Sequence, residues 1–281
     1  MQVLLAQLAP RRGDLEANLR RLTEVVRAHR ADLHVFPELY LLGYAPGDRV
    51  HRLALTANDP AVGALTNLAR EGHTGILVGG PWKSNDRPGE VHNAALLAGP
   101  DGSLQVQIKR YLPNFGPFEE ATIYTPTTTS APLTLASHRL GVQICYDAYF
   151  PEVSRELALQ AAVLLAVLSA APITSKSLFE KVLPARAVEN ACPVVYVNRV
   201  GVEDGIVFGG GTRAWDSRGE ALLTETLSLA GGAPEEQLHR VEIDLDEVPR
   251  WRPFRPVLRD VARDAPRRPD SILGQRSPPP L

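Results

Sequence analysis

Apolar runs and amphipathic stretches alternate from the first residues of the chain. Residues 2–8 form a short apolar run that reads as a buried strand. Asp14 follows Gly13 as a helix N-cap. Leu15, Leu19, Leu22, Val25 and Val26 then recur at helical spacing, which predicts an amphipathic helix over 14–30. Leu33-His34-Val35-Phe36 is a second strand, ended by Pro37. Strand, helix and strand in this order imply a parallel pair joined by a right-handed crossover. A helix follows over 59–70, with Val62, Leu65, Leu68 and Ala69 on one face, then strands over 75–80, 91–98 and 104–108. The last two turn at Gly99-Pro100-Asp101-Gly102, a strong hairpin signal.

The second half repeats the rhythm. Strands are expected over 131–135, 139–144, 162–169 and 194–198, with helices over 152–160 and 177–189. The second of these helices should turn Leu178, Val182, Ala185 and Val188 inward, and Pro184 should bend or break it. A glycine turn at 209–211, a hairpin turning at Ser217-Arg218-Gly219 and a strand over 238–245 complete the pattern. Two β-rich halves meeting near residue 135 suit two sheets packed face to face with helices outside.

Composition narrows the class. The chain has 281 residues, 44% hydrophobic and 22% charged, enough for a substantial core in a soluble protein. A formal net charge of −2 argues against a general nucleic-acid binder. Two cysteines, Cys145 and Cys192, make no disulfide framework, so the expected compartment is the cytoplasm. The opening run lacks the basic leader of a signal peptide, and no apolar run is long enough to span a bilayer, so no membrane role is expected. The seven histidines are scattered without metal-ligand spacing, so no metal site is expected. Residues 266–281, ending Pro278-Pro279-Pro280-Leu281, cannot form a packed element. They are expected to be a mobile tail or to lie against a partner subunit, leaving 1–265 as one domain.

Three polar groups stand where chemistry is placed in α/β sheets. Glu38 lies just past a strand end, in Phe36-Pro37-Glu38-Leu39, where the crevice of an open sheet opens. Lys109 ends a hairpin and leads into an ordered-looking loop of Pro, Gly and aromatic residues that closes on Glu119-Glu120. Cys145 stands where the apolar run Leu140–Ile144 meets the turn Tyr146-Asp147-Ala148-Tyr149 and a helix. A nucleophile at a strand-to-helix turn is held exposed at the sheet edge, and the next backbone N–H, that of Tyr146, can face a developing oxyanion. A thiol with an ordinary pKa of about 8.5 needs a base to act at neutral pH.

In that order and setting, the three residues resemble the Glu-Lys-Cys set of the nitrilase, or carbon–nitrogen hydrolase, superfamily. The likeness extends over Gln7, Asn18, Arg186-Ala187-Val188-Glu189-Asn190, Asn198-Arg199 and Arg268-Pro269-Asp270, almost the whole chain. It implies an α/β fold, a four-layer αββα sandwich of two mixed sheets. It also implies hydrolysis of a non-peptide C–N bond through a thioester, with no cofactor, in a homodimer or larger assembly. Glu38 would be the base, Cys145 the nucleophile, and Lys109 with the Tyr146 N–H the oxyanion donors. Glu120, with Glu119 as fallback, would orient substrate or water.

The loop after Lys109, with Glu38–Asp48 and Tyr196–Asp204, is most similar to the glutaminase domain of glutamine-dependent NAD synthetases. That implies a freestanding amidase or a subunit donating ammonia to a synthetase partner; nitrile hydrolysis is the alternative chemistry. Tyr44, Phe115, Tyr149 and Arg199 are the pocket candidates for a small amide substrate. Tyr149 stands where many carboxylate-reading members carry Arg, which weakens the case for a carboxylate-bearing substrate unless Arg199 or Arg213 compensates.

Overall fold

A computed structural model describes residues 1–44, 49–84, 86–222, 225–228 and 236–264. The tail 266–281 and part of the loop expected over 43–48 lie outside the described residues.

Among the described residues two mixed sheets stack between helices. The larger has seven strands. Its centre is Gln2–Gln7, parallel to Leu33–Val35, itself parallel to Gly75–Lys83. The hairpin Val91–Ala98 and Leu104–Ile108 adds two antiparallel strands on one side, and Gln237–Glu242 and Glu225–Ser228 add two on the other. The second sheet has five strands, in the order Arg213–Trp215, Val194–Asn198, Leu164–Ser169, His138–Ile144 and Leu133–Leu135. Its middle three are parallel.

Strand alternation makes the layers. Val3 and Leu5 of the first sheet meet Leu140, Val142, Ile144, Leu164 and Ala166 of the second in one core between the sheets. Leu4 and Ala6, on the opposite face, meet Leu22, Val25 and Val26 of the helix Leu15–Ala28 and Leu65 and Leu68 of the helix Pro60–Gly72. Leu165 and Val167 pack likewise against Leu157 of the helix Pro151–Leu159 and Leu183 of the helix Lys176–Asn190. Each fully buried Leu or Val contributes about 1.5–3 kcal/mol, and a one-residue slip would turn that row out of its layer. The result is the α-β-β-α sandwich expected from the sequence.

The helix Lys176–Asn190 departs from expectation. It buries Phe179, Leu183, Arg186, Ala187 and Asn190, while Leu178 (47% exposed) and Val188 (41%) face outward. The helix also continues through Pro184. Two of the inward residues are polar because they hydrogen-bond backbone there, and a hydrophobic pattern cannot show that. A small hairpin, Val200–Glu203 with Ile206–Gly209, was not anticipated either. Its turn, Asp204-Gly205, has positive φ at both residues, the signature of an Asp-Gly hairpin.

The parallel strands deliver their carboxyl ends to one region. Leu33–Val35 runs into Glu38, His138–Ile144 into Cys145, and Leu164–Ser169 into Ala170.

Candidate active site

Glu38 sits on a segment pressed flat against the next strand. A Cβ on Gly79 would lie 2.4 Å from the Leu39 nitrogen and 2.6 Å from the Glu38 Cα, so only glycine allows this approach. Leu39 adopts a left-handed φ of 51° to turn the chain. The Glu38 carboxylate is fully buried and accepts from three groups. Lys109 Nζ (2.5 Å) and Asn93 Nδ2 (2.8 Å) reach Oε1, and the Ala170 N–H (2.7 Å) reaches Oε2.

Lys109 is fully buried as well. Besides Glu38, its ammonium reaches both oxygens of Glu120, at 2.8 and 2.7 Å. Burial alone would depress this lysine, but Glu120 and Glu38 more than offset it and hold it above its ordinary pKa. Glu120 begins the short helix Glu120–Ile123 and also accepts from the Tyr44 hydroxyl at 2.7 Å. Glu119 is exposed, so of the two acids offered by the sequence Glu120 is the one in the cluster.

Cys145 takes a left-handed φ of 49°, which costs a non-glycine residue roughly 1–2 kcal/mol. The turn Cys145–Tyr149 that holds it is tied from two sides. Asp147 Oδ1 accepts the N–H groups of Arg110 (3.1 Å) and Tyr111 (2.8 Å), and its Oδ2 accepts that of Ile144 (3.1 Å). The loop after Lys109 is thereby fastened to the Cys145 turn, and Tyr111 stacks on Phe150 with ring centroids 3.6 Å apart. On the other side the Arg186 guanidinium donates to the carbonyls of Ala148 (2.8 Å) and Tyr149 (2.9 Å). Burial pushes Asp147 up to about 6, although Lys109 and the three N–H donors oppose the rise.

The thiol meets the acid through consecutive residues. Ser169 Oγ donates to Cys145 Sγ at 3.2 Å, and the following N–H, that of Ala170, donates to Glu38. Burial and the Glu38 charge raise the Cys145 pKa above its ordinary value, while Lys109 and the Ser169 hydrogen bond act against them.

Cys145 and Glu120 line a cavity of about 150 Å³. Tyr44, Phe115 and Tyr149 line it too, as three of the four pocket candidates. Arg199, the fourth, does not. It is buried, pairs with Glu203 at 2.6 Å and lies over the Phe208 ring at 4.0 Å. Arg213 is also elsewhere, half-exposed beside Glu180. A guanidinium near a strand end is readable in a sequence, but its partner is not.

Two residues at the site carried no assignment from sequence. Ser169 reads only as the end of a strand. Asn93 bridges Glu38 and Glu120 (3.3 Å to the latter), and a signal for it existed: it is a lone amide in the otherwise apolar run Asn93–Ala98, on the face of Ala95 and Leu97.

The chain is similar to known proteins over most of its length. The family model described as carbon-nitrogen hydrolase matches residues 2–253. A glutamine-dependent NAD(+) synthetase of Thermotoga maritima is 34% identical over 255 residues, covering 88% of this chain but 42% of its own, so the chain spans less than half of that relative. An (R)-stereoselective amidase of a Pseudomonas species is 31% identical over 252 residues, covering 88% of this chain and 86% of its own. A solved variant of the amidase from Nesterenkonia sp. AN1 carries acrylamide joined by Michael addition to its active-site cysteine. It superposes with a TM-score of 0.74 at 28% identity, over 91% of this chain and 98% of its own. The family model spans nearly the whole chain and the amidase relative is covered over most of its own length: the chain belongs to the carbon–nitrogen hydrolase family.

Proposed function

We propose that the protein is a cysteine-dependent amidase that cleaves a non-peptide amide to a carboxylic acid and ammonia or an amine through a thioester on Cys145. The observation that carries this reading is the Lys109 ammonium held between Glu38 and Glu120, with Cys145 on a strained turn at the same site. A thiol raised in pKa needs proton removal during attack. Glu38 takes that proton and passes it to the leaving nitrogen. The tetrahedral oxyanion forms between Lys109 Nζ and the Tyr146 N–H, and removing one such donor costs roughly 3 kcal/mol of barrier. All three Lys109 donors face carboxylates at rest, so one of its contacts with Glu120 is given up as the oxyanion forms. Water, with Glu38 again as base and Glu120 orienting, then cleaves the thioester.

Each step uses side chains, backbone and water, so neither metal nor organic cofactor is required; activity should survive dialysis against EDTA, and its loss would refute this point. The primary test replaces Cys145 with Ala and measures ammonia release from a panel of amides and nitriles. Turnover at the wild-type rate would end the assignment.

A second reading is glutaminase-type ammonia supply to a synthetase partner, favoured by the 34% identity to the Thermotoga maritima enzyme. We further propose that residues 1–265 form the hydrolase unit and that it works in the cytoplasm as a homodimer or larger. Both described cysteines are free, and the apolar Leu159 and Phe254 (80% exposed) offer surface for a partner. A monomer by light scattering at micromolar concentration would contradict the assembly.

A further inference from the structure

We infer that the acyl part of the substrate is short, apolar and uncharged, so that the enzyme prefers a neutral aliphatic or arylalkyl amide to any amide bearing a carboxylate. This rests on the amidase reading above and deepens it.

Size is the first constraint. The cavity of about 150 Å³ lies well below the roughly 300–1,000 Å³ of sites for drug-sized ligands. A space of that size suits an acyl chain of a few carbons. Its walls are the second. Phe115, Phe118, Tyr146, Tyr149, Leu178 and Phe179 present rings and one aliphatic chain to the space beside Cys145. Phe115 meets the Tyr146 ring edge-on at 5.3 Å, and Tyr149 meets Phe179 at 5.0 Å, so the rings support one another as a continuous surface. An alkyl or aryl tail gains by leaving water here.

Charge is the third constraint. Among the described lining residues the one charged side chain is Glu120, an acid. Lys109, in contact with the lining Glu120, is committed to Glu38 and Glu120, and these three groups carry a formal charge of about −1 when both acids are ionised. Arg199 pairs with Glu203 and Arg213 lies beside Glu180, so neither guanidinium turns to the cavity. A substrate carboxylate would leave water for largely apolar walls and a buried acid, with hydroxyls but no cation among the described lining residues to replace its hydration. The α-carboxylate of glutamine meets the same penalty. The cavity therefore separates the two readings of function, in favour of the neutral amide.

The test compares amides that differ only at the far end of one chain, on the full-length enzyme. Pentanamide is neutral, glutaramate is the same skeleton ending in a carboxylate, 5-aminopentanamide ends in an ammonium, and glutamine adds an α-amino group to glutaramate. Ammonia release should give a kcat/KM for pentanamide about a hundredfold or more above those for glutaramate and glutamine. Phe115→Ala, on an exposed loop position, should raise KM for pentanamide about fivefold with a smaller rise for acetamide, because a longer tail loses more contact. Equal or better turnover of glutaramate, glutamine or 5-aminopentanamide, abolished by Cys145→Ala, would overturn the substrate inference and leave the amidase reading standing. No turnover of any amide in the set would remove the amidase reading and this inference together.

Discussion

Replacing Gly79 with Ala probes how the base is held, without touching any polar group of the site. The added Cβ would lie 2.4 Å from the Leu39 nitrogen, 2.5 Å from the Pro37 oxygen and 2.6 Å from the Glu38 Cα. Ordinary contact begins at 3.4 Å, so the segment must retreat by about 1 Å, the difference between 3.4 and 2.4. All three atoms are backbone, and no rotamer change can relieve the clash. Glu38 now stands 2.5 Å from Lys109 Nζ and 2.7 Å from the Ala170 N–H. A retreat of about 1 Å carries both contacts to or past the limit of a hydrogen bond. Hydrogen bonds to a charged group contribute about 1.5–3 kcal/mol each, so stability should fall by roughly 3 kcal/mol. A displacement of this size at a catalytic base lowers kcat about a hundredfold. Gly80→Ala is the control. Its Cβ would first meet side-chain rather than backbone atoms, those of Leu41 from 3.0 Å outward, and should cost less than Gly79→Ala. Denaturant unfolding and kcat on a neutral amide, measured for both variants, decide the matter. A Gly79→Ala enzyme as stable and as fast as Gly80→Ala would refute the claim that this glycine sets the position of Glu38.

Two further outcomes follow from the same geometry. Glu120→Gln should lower kcat about a hundredfold by loosening the grip on Lys109, whereas Glu119→Gln, at the exposed neighbouring acid, should leave steady-state kinetics unchanged; equal losses in both would contradict the assignment of the inner acid. Asp147, raised from 3.8 to about 6 chiefly by burial, keeps its proton in the folded state over a range where the unfolded chain has lost it. Its contribution to stability is therefore complete below about pH 4 and is lost as pH rises through about 6, by roughly 3 kcal/mol in all. The stability difference between wild type and Asp147→Asn should accordingly shrink from about pH 4 to about pH 7; a difference that is flat or grows over that range would exclude this origin.

What the sequence made legible was whatever depends on period and order. Alternation in the strand Gln2–Gln7 and 3.6-residue spacing in the helix Leu15–Ala28 are direct consequences of burying one face, and both reappear in the layers. Glu38, Lys109 and Cys145 stood out because each follows a secondary-structure end, where side chains are freed from packing. Residues that work by bonding to backbone were hidden. Arg186 and Asn190 occupy the inward face of the helix Lys176–Asn190, one because its guanidinium supplies donors to the Cys145 turn, the other because its amide returns to the Arg186 carbonyl. Hydrophobicity alone therefore rotates that helix to the wrong face. Arg199 misled for the opposite reason, since its charge is already matched by Glu203 four residues on. Ser169 gave no warning: a hydroxyl at a strand end looks the same whether it meets water or a thiol.

The most direct measurement of the central claim is the intact mass of the enzyme, quenched during turnover of a slowly hydrolysed neutral amide. The account predicts a species heavier by the acyl group, the substrate less ammonia, with the adduct mapping to the peptide that carries Cys145 and absent from Cys145→Ala. An adduct on Cys192, or sustained turnover by the Cys145→Ala enzyme, would contradict it.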